Sequence, residues 1–194
     1  GSGAITKRSF ALRLIEEMSE GLAEGSNEVG FLVWSSSVEE YLPPLSSVHR
    51  SRERLALVGA MKVGGSPTKP AKLFEYLPRL PRRPSIVFVF SDWKDTEDFG
   101  EELKRCMAEQ LDIIPVVICD SAEKKMPWFL GDALFRSAES SEVSVLSGIN
   151  DEVLALGTFR ALALPFVTLD LSAGEEEADR AFDEYFELRE RERR

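Results

Sequence analysis

The sequence contains few cysteines, a deficit of basic residues and no long apolar segment. Two cysteines in 194 residues exclude a disulfide framework and are typical of a reducing compartment. Thirty-four acidic against 24 basic side chains give a net charge of −10, which argues against nucleic acid as a partner. No stretch reaches the ~18 to 20 apolar residues of a membrane span. We therefore expect a cytoplasmic globular protein, although a membrane anchor encoded upstream of Gly1 would be invisible in this sequence.

Common signatures of catalysis and cofactor binding are also missing. The chain has one histidine and no CxxC, HExxH or GxGxxG motif. The segment GGSPTK (64–69) superficially resembles a phosphate-binding loop, but it lacks the GxxxxGK[ST] spacing and no buried strand precedes it. The sequence thus gives no motif-based support for a zinc peptidase, a dinucleotide enzyme or a P-loop ATPase.

What the chain does contain is an alternation of two hydrophobic patterns. Continuous apolar runs at residues 29–34, 86–90 and 113–119 predict strands buried on both faces. Apolar residues at helical spacing predict helices at 10–22, 52–61, 70–77 and from a Thr96 N-cap through 99–110. Buried strands joined by amphipathic helices predict an α/β fold with an open, mostly parallel sheet and helices on both faces.

The remaining elements are predicted from turn residues and alternation. A strand at residues 38–42, ended by Pro43 and Pro44, is expected at an antiparallel sheet edge. After Asp120 we expect a hairpin within 134–146, a helix from an Asn150 cap to 164, an edge strand at 166–171 and a C-terminal helix.

Asp92 ends the run VFVFSDW and is the first candidate for a functional site. An unpaired buried carboxylate is costly, so this residue should be exposed, paired or used. Ligands of parallel sheets bind at the carboxyl ends of the strands, where the loop 64–68 is also expected. There the oxygens of Thr68 and Asp92 suit Mg²⁺, and Ser66, Ser91 and Trp93 are candidate partner contacts.

Simpler roles remain open for the same residues. Asp92 can accept backbone N–H groups of its own loop, and the Thr68 hydroxyl can cap the helix that begins at Pro70. Trp93 can pack against the rim of the sheet.

Several segments, taken in order, carry a family resemblance: TKRSFALRLIEEM, NEVGFLVWSSS, GGSPTKPAKLF, IVFVFSDW, DIIPVVICDSAEKKMP and FDEYFELRERERR. Together they resemble a von Willebrand factor A (vWA) domain, and more narrowly the bacterial domain-of-unknown-function 58 family associated with MoxR-type AAA+ ATPases. The resemblance covers nearly the whole chain, so we interpret residues 1–194 as one vWA-like domain, with residues 1–3 a cloning remnant.

The resemblance implies a metal-ion-dependent adhesion site built from a DxSxS motif after the first strand, a later Thr and a later Asp. Thr68 and Asp92 match the last two positions, but DxSxS is absent and the domain is expected to be truncated at its N-terminus. We therefore expect Mg²⁺ in the intact protein and weak or no binding by this chain. Lys69 stands where many relatives have an acidic residue.

The absent first strand would lie between the strands at 29–34 and 86–91. We expect its place to be filled by residues outside this chain, by a second copy, or by direct pairing of the two flanking strands, because unpaired edges are costly.

Two functions follow. The first is a non-enzymatic module that docks a protein partner, an AAA+ ATPase by resemblance, through the carboxyl edge of its sheet. The alternative is a metal-dependent hydrolase or phosphotransferase that uses Asp92, for which the sequence places no second acidic group, nucleophile or base.

Overall fold

The computed structural model describes residues 6–62, 67–81, 86–94, 97–120, 133–136, 143–146, 154–172 and 174–192. The helices are α1 (Lys7–Glu24), α2 (Val48–Ala60), α3 (Pro70–Tyr76) with a 3-10 turn (Leu77–Arg79), α4 (Gly100–Ala108), α5 (Leu154–Ala161) and α6 (Glu175–Glu192). The strands are β1 (Val29–Trp34), β2 (Val38–Leu45), β3 (Ile86–Ser91), β4 (Asp112–Cys119), β5 (Ala133–Arg136), β6 (Val143–Leu146) and β7 (Val167–Asp170).

The strands form three separate ladders. In the order β3, β4, β7, three parallel strands make the main sheet. β1 and β2 form an antiparallel pair, as do β5 and β6. The predicted α/β class is therefore confirmed, with a three-stranded parallel sheet in place of one continuous sheet.

Strand β4 is the centre of the fold because it is buried on both faces. Ile113 and Val117 point into a core that also contains side chains from α3, α4 and α5. Ile114 and Val116 point to the opposite face, against α1 and α6. The seven residues of β4 after Asp112 carry no charged side chain, and they have this arrangement because alternate residues meet apolar helices on opposite sides. The expected helices on both faces are thus present around β4.

Most predicted elements are found. α2 begins at Val48, earlier than the predicted residue 52, and two boundary signals taken from the sequence were also wrong. β2 does not stop at Pro43 and Pro44; it continues to Leu45, because a strand paired on one side only tolerates residues without an N–H donor. The pairing is irregular next to these prolines, where Gly30 of β1 approaches so closely that a Cβ atom would lie 2.9 Å from the Leu42 carbonyl oxygen.

The second error concerns the start of α4. This helix begins at Gly100 with Phe99 in the N-cap position, so Thr96 is not its N-cap. Phe99 is 1% exposed, and its burial in the core fixes the start of the helix in place of a capping hydroxyl. Asn150 lies outside the described residues.

β1 and β3 do not pair with each other, contrary to one of the expected arrangements of the sheet. These two strands belong to different ladders, so their direct pairing was wrong. β1 nevertheless contributes to the same core, since Leu32 and Trp34 pack against the cluster that contains Val89 of β3. No described strand joins β1 to β3 in one ladder, and the filling of the place between them by a second copy or by residues outside this chain stays a prediction.

Candidate functional site

The carboxylate of Asp92 is paired with a lysine. Asp92 directly follows β3, and its Oδ2 atom lies 3.4 Å from Nζ of Lys7, the first residue of α1. The two side chains are 28% and 22% exposed, respectively, so the ion pair is partly shielded yet reachable from solvent. Asp92 is therefore neither a buried unpaired charge nor a freely solvated one.

Local sequence fixes where Lys7 lies. A capping box starts α1: the Thr6 hydroxyl accepts a hydrogen bond from the Ser9 N–H (3.1 Å), and the Ser9 hydroxyl accepts one from the Thr6 N–H (2.9 Å). One turn later, Phe10 is 1% exposed and packs on the face of β4 formed by Ile114 and Val116. The helix start is thus held at the carboxyl edge of the main sheet.

Asp92 is held by the residue that follows it. Trp93 has a φ of 54°, a left-handed conformation that is uncommon for a bulky side chain. Its N–H donates to the Ser91 hydroxyl (3.2 Å), and its indole N–H donates to the Val116 carbonyl (3.2 Å). These bonds fix the chain on both sides of the Asp92 side chain.

Trp93 itself was wrongly expected to contact a partner. The side chain is 1% exposed and packs among Phe74, Phe99 and Phe159, with ring centroids 4.9 to 6.4 Å away. Because the backbone turns at Trp93, the indole points into the core instead of along the surface. Its role at this edge is to anchor the loop that presents Asp92.

The loop before α3 reaches the same edge at the end of β1. The Lys69 N–H donates to the Ser35 carbonyl (2.8 Å), one residue after the last residue of β1. Thr68 is half-buried, and it does not cap α3: Lys69 is the N-cap residue, without a side-chain cap, and Pro70 begins the helix. Ser66 lies outside the described residues.

Ser91 is occupied by a local contact. Its hydroxyl accepts the Trp93 N–H in the turn after β3, and the residue is half-buried. This contact assigns Ser91 a part in shaping the loop, while its availability to a partner stays a prediction.

Sequence reasoning missed Lys7. The available signal was its position three residues before Phe10 and seven before Leu14. These spacings place Lys7 on the same face of the helix as the two apolar residues. A charged residue on such a face needs a partner, and the sequence pattern does not reveal that the partner is 85 residues away.

Comparison with known proteins agrees with this architecture. The model of the family described as "Protein of unknown function DUF58" matches residues 1–155. The chain belongs to the DUF58 family. No curated protein matches it.

Two solved structures resemble this DUF58 chain in fold. The conserved hypothetical protein BatB from Bacteroides thetaiotaomicron is 11% identical, with a TM-score of 0.55 and coverage of 91% of this chain and 88% of BatB. An aerotolerance-related membrane protein from Bacteroides fragilis NCTC 9343, carrying multiple mutations to serines, is 15% identical, with a TM-score of 0.55 and coverage of 87% and 88%. Within the described part of this DUF58 chain, no helix is both long and apolar enough to span a membrane.

The metal site implied by the vWA resemblance does not fit the side chains at this edge. Of the two implied donors, the Thr68 hydroxyl is neutral and the Asp92 carboxylate already pairs with the Lys7 ammonium, so little negative charge is left for a divalent cation. Among the described residues there is no group of three or more His, Cys, Asp or Glu side chains that could hold a metal ion. The arrangement is that of an ion pair on a rigid edge.

Proposed function

We propose that this DUF58 domain is a non-enzymatic interaction module that docks a protein partner through the carboxyl edge of its sheet. The observation that carries the proposal is the partly shielded Lys7–Asp92 ion pair, held between a capped helix and a buried tryptophan. A fixed charged pair gives a partner a defined electrostatic pattern, which contributes to specificity and to association rate.

The neighbouring loop widens the proposed surface. The end of β1 and the start of α3 are joined by the Lys69–Ser35 backbone bond, and the Lys69 side chain is 43% exposed. Its ammonium lies 3.9 Å from the carboxylate of Glu97, in the loop after β3. A partner at this edge therefore meets charges of both signs from three segments of the chain.

The family resemblance supplies the partner class. We propose a MoxR-type AAA+ ATPase, the partner associated with DUF58 proteins, as the first protein to test. We also propose that the finer vWA topology forms in the assembled protein, with one more strand between β1 and β3. Both strands are apolar apart from Ser91 at the end of β3, and each has one edge outside its ladder.

The test is a binding measurement between the immobilised domain and the MoxR-type ATPase from the same organism. Lys69→Glu and Asp92→Ala are expected to weaken association by about tenfold or more, since each changes the charge of the edge. The matched control is Arg191→Glu, which changes a 77% exposed residue at the far end of α6 and should bind as the unaltered domain does. Edge variants that bind normally would contradict the proposal.

The alternative, a metal-dependent hydrolase or phosphotransferase, receives less support. Its acid or nucleophile would be Asp92, yet that carboxylate is paired with an ammonium group, and within the described ranges it belongs to no group of three or more His, Cys, Asp or Glu side chains suited to a metal.

A further inference from the structure

We propose that the ammonium group of Lys7 permanently occupies the cation position beside Asp92, so that this edge works without a divalent metal ion. This inference rests on the proposed function in one respect, namely that the carboxyl edge is the docking surface. Its test requires no partner, so that either idea can fail alone.

The first argument is the direction of the Lys7 side chain. Lys7, Phe10 and Leu14 share one face of α1, and the two apolar residues are 1% and 4% exposed against the sheet. Lys7 continues this buried face to the point where the sheet ends. A charge in that position is stable only with a partner, which Asp92 provides at 3.4 Å.

The second argument is that both members of the ion pair are attached to buried anchors. Phe10 holds the start of α1, and Trp93 holds the end of β3 through its ring contacts and its bond to Val116. The Lys7 ammonium is therefore held beside the carboxylate by the fold, whereas a metal ion would have to bind from solution. A divalent ion approaching Asp92 would meet a like charge about 4 Å away, which strongly disfavours its binding.

The third argument is that the other described carboxylates of the same loop are engaged. Glu97 lies 3.9 Å from the Lys69 ammonium. The Asp98 carboxylate accepts the Gly100 N–H (2.9 Å) at the start of α4. Each of these carboxylates therefore has a partner other than Asp92, and among the described residues no group of three or more His, Cys, Asp or Glu side chains could hold a metal ion.

The experiment uses Mn²⁺, which is paramagnetic and broadens the NMR signals of nearby protons. The indole N–H of Trp93, adjacent to Asp92 in sequence, is the reporter, and its signal is assigned by its loss in Trp93→Phe. We measure the Mn²⁺ concentration that reduces the Trp93 indole signal to half its height. In Lys7→Met this concentration is expected to fall by about tenfold, because the positive charge beside Asp92 is gone. Lys7→Arg keeps the charge and should match the unaltered protein.

Three further variants make the result specific. Lys7→Gln repeats the neutral substitution in case Lys7→Met folds poorly, which a loss of dispersion among the indole signals would reveal. Lys94→Met removes an exposed charge two residues after Asp92 and should change the midpoint by less than about twofold, because water and salt screen charges at the surface. In the double variant Lys7→Met/Asp92→Asn, the gain in Mn²⁺ affinity should disappear.

The proposal fails if the unaltered protein already binds Mn²⁺ in the micromolar range and loses that binding in Asp92→Asn. It also fails if both neutral variants of Lys7 respond to Mn²⁺ as the unaltered protein does.

Discussion

Replacing Trp93 by phenylalanine should destabilise the domain far more than the same replacement at Trp34. Trp93 is 1% exposed and donates its indole N–H to the Val116 carbonyl, whereas Trp34 is only half-buried beside the same core. Losing a buried hydrogen bond costs about 1 kcal/mol, and the smaller ring leaves unfilled space worth about another 1 to 2 kcal/mol. The total, about 2 to 3 kcal/mol, is a large part of a typical stability of about 5 to 15 kcal/mol.

Phenylalanine is chosen because it isolates these two contributions. Like tryptophan it carries a Cβ atom, so the backbone strain at φ 54° is the same in both proteins and cancels in the comparison. For Trp34→Phe we expect a loss below about 1 kcal/mol, since less apolar area is returned to water.

The assay is urea unfolding followed by far-UV circular dichroism, which does not depend on tryptophan emission. The difference in midpoint, multiplied by a common slope, gives the change in the free energy of unfolding. Equal losses at Trp93 and Trp34 would refute the assignment of Trp93 as the anchor of the Asp92 loop.

Four other predictions test separate parts of the account. Burial raises the pKa of the Cys106 thiol from 9.0 to about 11, so a thiol reagent at pH 8 should label half-buried Cys119 first and Cys106 only on unfolding; equal rates would contradict this burial. The same shift should remove stability as the pH rises from about 9 to about 11, because the unfolded state releases this proton first, and Cys106→Ala should reduce that loss. The purified domain should show no phosphatase, peptidase or esterase turnover with any divalent metal, and turnover abolished only by Asp92→Asn would favour the enzyme alternative. If the place between β1 and β3 is filled by a second copy, native mass spectrometry should detect a dimer, and a strict monomer with rapidly exchanging amides on both strands would exclude that route.

The strands could be predicted from the sequence because their signal is local. Val29–Trp34 was predicted with its observed bounds, since six apolar residues followed by three serines determine both the strand and its end. At β2 the local rule failed: Pro43 and Pro44 end a central strand but are tolerated at an edge, and edge position depends on the whole sheet.

The candidate site was predicted only in part because its contacts are long-range. Asp92 was placed correctly after a strand, as a consequence of the apolar run before it. Its partner Lys7 is 85 residues away and could not be inferred from spacing. The inward turn of Trp93 depends on a left-handed backbone that only the surrounding aromatic core stabilises, and the sequence after β3 does not reveal it.

The central claim, that the carboxyl edge docks a protein partner, is tested most directly by hydrogen–deuterium exchange of the domain with and without a MoxR-type ATPase. We expect slower exchange on binding in residues 67–69 and 91–94 and at the start of α1, with no change at the C-terminal end of α6. Protection confined to α6 or to the outer surface of α2, with the edge unchanged, would contradict the account.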